Sequence, residues 1–254
     1  MKTQRFGNHK VAYYETISEL PITRYHVYNK MLLVDSGIGS TIADFDNHCD
    51  RLVAYLHRNE MENAYKEIDN IRQNIYLIQS ALSPKHLAFA AIIKEVDGVE
   101  RNDITDAGLK ETLAMIGDCP TGEADENIES AKKKIEEELE LYFPTLFADS
   151  SVKEMYDLML KRTKYVLYGI IEKADYKERI KDITEELITY TKPKDFSSEH
   201  SIELAADKQF ERICVMLSES LHVNPKTYTV MEFYTAFDYL KEKSKATSKV
   251  SKKR

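Results

Sequence analysis

The chain has 254 residues, of which only 8 are Gly and 6 are Pro, while 43% are hydrophobic and 31% charged. So few turn formers exclude an all-β meander, and so large an apolar share excludes disorder over most of the length. The formal charge is −7, but residues 241–254 carry seven Lys or Arg against Glu242 alone, a local +6 that leaves a body near −13.

An acidic body is a poor match for nucleic-acid phosphate, whereas a short basic end suits phosphate or an acidic neighbour, or is simply a solvated end. Cys49, Cys119 and Cys214 are far apart and form no CxxC pair, so neither a disulfide framework nor a thiolate zinc site is expected. No run approaches the roughly 20 apolar residues of a membrane span. The start, Met1 to Phe6, lacks the apolar core of a signal peptide. The expectation is a cytoplasmic chain in a reducing compartment.

In chain order, residues 1–20 carry Val11, Tyr13, Tyr14 and Ile17 without helical spacing and read as an extended arm. Pro21 opens a helix over 22–34, broken by Asp35-Ser36-Gly37-Ile38-Gly39-Ser40. Thr41 with Asp44 resembles a capping box for a helix whose apolar face is Ile42, Phe45, Cys49, Leu52, Val53 and Leu56. Residues 60–82 form a longer helix with Ala64, Ile68, Ile71, Ile75 and Ile78 in register, and Ser83-Pro84 stops it and caps the next. Lys85 to Val96 is apolar nearly all round and reads as a buried central helix.

Thr105 caps a short helix to Ile116, and the turn cluster 117–122 reads as a lobe boundary. Beyond it come helices over 125–143, 150–174, 176–191, 198–222 and 229–244, the last opened by a Thr229/Glu232 capping box. The first of these carries one narrow apolar stripe, Ile128, Ala131, Ile135, Leu139 and Tyr142, which implies one-sided packing. The expected architecture is an all-α multi-helix bundle: an arm over 1–20, lobes over 21–117 and 118–245, and a mobile basic tail over 246–254.

The chemistry-bearing patterns fail in detail. The 35–40 glycine turn has no GxxxxGK[ST] and no preceding strand, so it reads as a corner between helices. Asp44, Asp46, His48 and Asp50 alternate along a helix and point in different directions, although Asp46 and Asp50 could share one divalent ion, and they read as a solvated acidic face. The seven His contain no HExxH pair. No catalytic residue, cofactor site or metal site is therefore assigned, and the chain is not expected to be an enzyme.

What stands out is 16 Tyr and 9 Phe without a Trp. An apolar ring with a polar tip suits surfaces that are wet before assembly and buried after it, and equally suits a helical core with the hydroxyl turned outward. Tyr13, Tyr14, Tyr25, Tyr28, Phe233 and Tyr234 are the candidate partner contacts, and Lys249, Lys252, Lys253 and Arg254 the candidate contacts to phosphate or an acidic partner.

The segment Tyr14 to His48, continued by Asn70 to Tyr76 and Ser83 to Ala90, resembles structural proteins of tailed phages infecting Bacteroidetes, including crAss-like phages. The stretch Thr229 to Leu240 resembles helices of phage tail assembly chaperones. The first resemblance implies a many-copy ring or adaptor subunit at the portal-to-tail junction, without catalytic residues, contacting copies of itself, portal and tail proteins and packaged DNA. It implies a virion location, at the tail or head-to-tail junction, after synthesis in the host cytoplasm. A cytoplasmic assembly chaperone and a small DNA-binding regulator using the basic tail remain alternatives.

Overall fold

A computed structural model describes residues 1–117, 123–147, 150–190 and 192–251, with the side chains of 123–125, 147, 150–154, 156, 189, 190 and 246–251 outside the description. The chain opens on a β-hairpin, β1 (Lys2–Phe6) and β2 (His9–Tyr13). Gly7, at φ +58°, sits first in its two-residue turn, where a positive φ lets the strands keep their twist. Helices α1 (Ile22–Gly37), α2 (Ile42–His57), α3 (Met61–Gln79) and α4 (Pro84–Ile92) follow. The chain then returns to strand as β3 (Ile93–Val96) and β4 (Val99–Glu100).

The sheet is antiparallel throughout, in the order β1-β2-β3-β4. The expected N-terminal arm is thus half of a sheet, and the all-α expectation holds only for the mostly helical remainder. The helix expected over 85–96 is split at Ile92. Asp97 and Gly98 both take positive φ, +52° and +80°, as a primed hairpin turn requires, and Ile93 pairs with Tyr13 across the sheet. Asp97 also accepts from the Lys10 backbone N–H at 2.7 Å, joining the two hairpins.

Then come α5 (Asp106–Ile116), α6 (Glu123–Tyr142), α7 (Pro144–Phe147), α8 (Ser150–Glu172), α9 (Lys177–Tyr190), α10 (Ile202–Leu221), a 3₁₀ turn at Pro225–Thr227, and α11 (Val230–Ser251). Caps read from the sequence are in place. Thr41 and Asp44 bond reciprocally, Ser83 accepts from the His86 N–H ahead of Pro84, and Thr229 N–H donates to Glu232 at 2.8 Å. α11 runs past the expected end at 244 because no Gly or Pro follows Pro225 to stop it. The basic contacts expected of Lys249, Lys252, Lys253 and Arg254 fall on side chains outside those described.

The main core joins the sheet to α1, α4, α5, α6, α10 and α11, so it draws residues from both sides of the boundary expected at 117. The Phe89 ring packs on Phe6 and Tyr13, with centroids 5.4 and 5.2 Å away. The α6 stripe packs one-sidedly as expected, through Ile128, Ala131, Ile135 and Leu139, while Tyr142 stays exposed. A second, smaller cluster of Tyr55, Ala64 and Ile188 joins α2 and α3 to α9. Among the described residues no helix is long and apolar enough to cross a membrane.

Candidate protein-binding face

The six aromatic residues read as contacts lie mostly inside the chain. Tyr13, Tyr25, Tyr28 and Phe233 are buried and Tyr14 and Tyr234 half-buried. Tyr234 stands edge-on to Tyr25 at 6.2 Å and to Phe233 at 5.6 Å, which knits α1 to α11. These rings are core, and the correction is physical: Tyr25, Tyr28, Phe233 and Tyr234 lie on the faces that α1 and α11 turn to the core, and β2 sets Tyr13 against the Phe89 ring.

Burial pushes the hydroxyls of Tyr13, Tyr55 and Tyr234 up to about 12, helped by the nearby Glu15 at Tyr13 and Glu67 at Tyr55. Above the ordinary tyrosine value of about 10 the unfolded chain sheds protons that the folded chain keeps. Protons then favour folding, so this contribution is complete below about pH 10 and is lost as pH climbs through 12. The expected result is a urea midpoint falling steadily over that window, followed by circular dichroism.

The glycine turn offers no open anion cradle. Asp44 Oδ2 accepts from the backbone N–H of Ser40 at 3.1 Å and of Thr41 at 3.0 Å, and from the Thr41 hydroxyl at 2.7 Å. The turn is pinned from beneath by buried polar side chains on α2 and α3. His48 Nε2 donates to the Ile38 carbonyl at 2.8 Å, and its Nδ1 lies 2.7 Å from Glu67 Oε2. Arg51 Nε forms an ion pair with Glu67 Oε1 at 2.9 Å, off hydrogen-bond alignment, and Asn74 donates to the carbonyls of Ile38 and Gly39.

Sequence periodicity pointed to isoleucines on the inner face of α3, yet the residues buried there are Ala64, Glu67, Asn70 and Asn74. On α2 the buried residues are His48 and Tyr55, while Val53 and Leu56 are exposed. An apolar count has no means of finding a buried face whose members are polar and mutually satisfied. Asp46 and Asp50 are exposed, and no group of three or more His, Cys, Asp or Glu among the described residues is arranged to hold a metal.

The exposed surface that stands apart is on α8. This helix pairs with α9 through one side only: Tyr165 and Tyr168 meet the Tyr176 ring at 5.5 and 6.3 Å, and Arg162 Nε donates to Thr184 at 3.0 Å. Arg179 lies over the Tyr165 ring at 5.6 Å. At 3.6 residues per turn, Met159, Leu160, Val166, Leu167, Ile170 and Ile171 fall about 150° round the axis from that side. All six are exposed, Ile170 and Ile171 at 70% and 74%. An isolated exposed aliphatic is ordinary, but six on one helical stripe form a contiguous patch of the kind that marks contact with another macromolecule.

No family model, curated protein or solved structure matches the chain. The α8 stripe was legible as a helix over 150–174 but not as a free face. The available signal was the run Tyr165-Val166-Leu167-Tyr168-Gly169-Ile170-Ile171, apolar all round a helix that packs chiefly on α9.

Proposed function

We propose that this chain is a structural subunit of a tailed-phage particle, a helical connector or ring component at the portal-to-tail junction that works by assembling with copies of itself. The observation that carries the assembly part is the α8 stripe, apolar surface that a chain acting alone has no physical reason to leave in water. The phage part rests on the resemblance of residues 14–48, 70–76 and 83–90 to structural proteins of such phages. Polar groups that read as chemistry in the sequence, His48, Asp44 and the glycine turn, are engaged in holding the fold, which suits a protein that works through surfaces. An acidic body lets DNA pass without adhering, and the basic end supplies a contact to a neighbour or to packaged DNA.

Quantitative mass spectrometry of particles purified from the phage that encodes the chain tests this. The expected result is incorporation at a fixed multiple per particle. Absence from mature particles, with the protein present during assembly, overturns the virion role in favour of a cytoplasmic assembly chaperone, whose client would then cover the α8 stripe.

A further inference from the structure

We infer that the exposed face of α8 is the seat of a second copy of this chain, with the two α8 helices packed antiparallel about a two-fold axis. The inference rests on the self-assembly reading above and names the contact that makes it. The stripe from Met159 to Ile171 runs along about 18 Å of helix, with Thr163 its only polar member. Its aliphatic residues recur at three-and-four spacing, Leu160, Thr163, Leu167, Ile170, the pattern with which one helix seats against another.

Charge selects the partner and the direction. Asp157 and Lys164 are seven residues, or two turns, apart, so both border the stripe on the same flank. Both are exposed, and among the described residues neither has an ion-pair partner in its own chain. When two helices pack antiparallel about a two-fold axis, each flank meets its own copy. Asp157 of one chain then meets Lys164 of the other, and the symmetry makes the pair twice. A parallel arrangement turns Asp157 toward the opposite flank and Arg162, whose Nε is already committed to Thr184. In the antiparallel register the axis passes close to Leu160 and Lys161, and the Leu167 to Ile171 segment of each copy lies along the first turns of the other's α8.

A two-fold contact closes at two copies, so any ring is built by other faces joining such pairs. The test is sedimentation equilibrium on the full chain. The wild type is expected to be dimeric or a multiple of two. Leu167→Glu with Ile170→Glu, at exposed positions where folding is untouched by circular dichroism, should weaken pairing about a hundredfold by burying four charges, two from each copy, within the seam. Asp157→Lys should weaken it about fivefold, and adding Lys164→Asp should restore it.

A monomeric wild type, or a pairing indifferent to Leu167→Glu and Ile170→Glu, overturns the contact. A double charge reversal as weak as the single overturns the antiparallel register. Incorporation into particles without this pairing defeats the α8 contact alone, and intact pairing in a protein absent from particles defeats the virion role alone.

Discussion

Replacing Arg24 by Met is expected to cost about 4 kcal/mol of folding stability. The Arg24 guanidinium is buried, and that burial pulls its pKa below the ordinary arginine value. From α1 it donates to the carbonyls of Ala91 at 3.0 Å and Ile93 at 2.9 Å, and also to that of Arg101. These carbonyls sit where α4 ends and β3 begins, and after β4. Chain leaving a helix orphans its last carbonyls, and here one planar fork of donors collects them across three segments. Methionine keeps the stem and removes every donor, so three carbonyls that are wholly or partly buried lose their partner. Arg24→Lys keeps the charge but not the fork, and should lie between. Urea unfolding measures the series, and a midpoint for Arg24→Met within error of the wild type sinks the account.

Glu67→Leu is expected to cost about 3 kcal/mol. The carboxylate is fully buried and His48 is 1% exposed, so removing the acid strips the His48 Nδ1 of its acidic partner and leaves it the Arg51 Nη2, 2.7 Å away. Arg51, at 21% exposed, can turn outward, and this limits the loss. The damage should concentrate at the corner between α1 and α2, because His48 also holds the Ile38 carbonyl. A double variant carrying His48→Leu should recover much of the loss, since replacing both polar partners with apolar groups avoids the unpaired atom. Additive effects of the two changes, read from the same unfolding curves, would show that the pair is not coupled.

The proposed α8 contact differs from both in kind. Those two predictions concern groups whose partners lie in the same chain, so they are read in the stability of the isolated protein. The α8 stripe carries little stability within a single chain, so its substitution should alter assembly while leaving the unfolding of the unpaired chain unchanged.

Legibility from the amino acids was uneven, for identifiable reasons. The starts of α2, α4, α5 and α11 were within reach because their signals are local: Thr41, Ser83, Thr105 and Thr229 each cap with their own side chains, and Pro84 at a first helical turn needs no distant partner. The apolar stripe of α6 was legible because its inner face is uniformly aliphatic. The β1-β2 hairpin and the switch at Ile92 were not read, although Gly7-Asn8 and Asp97-Gly98 are turn pairs, because residues 85–96 satisfy a helical pattern equally well. What decides between helix and strand at Ile93 is its pairing with Tyr13, some eighty residues earlier.

By itself, then, the sequence determined the mostly helical class, the caps, the acidic body with its basic end, and the absence of standard catalytic spacings. Only the tertiary structure decided that Tyr25, Tyr28 and Phe233 face inward, that Glu67 and Asn74 are buried where isoleucines were expected, and that α8 has one covered side and one bare. Caps and composition depend on atoms a few residues apart and are written along the chain. Which side of a helix meets a neighbour depends on where the remaining helices come to lie, and no local spacing contains that.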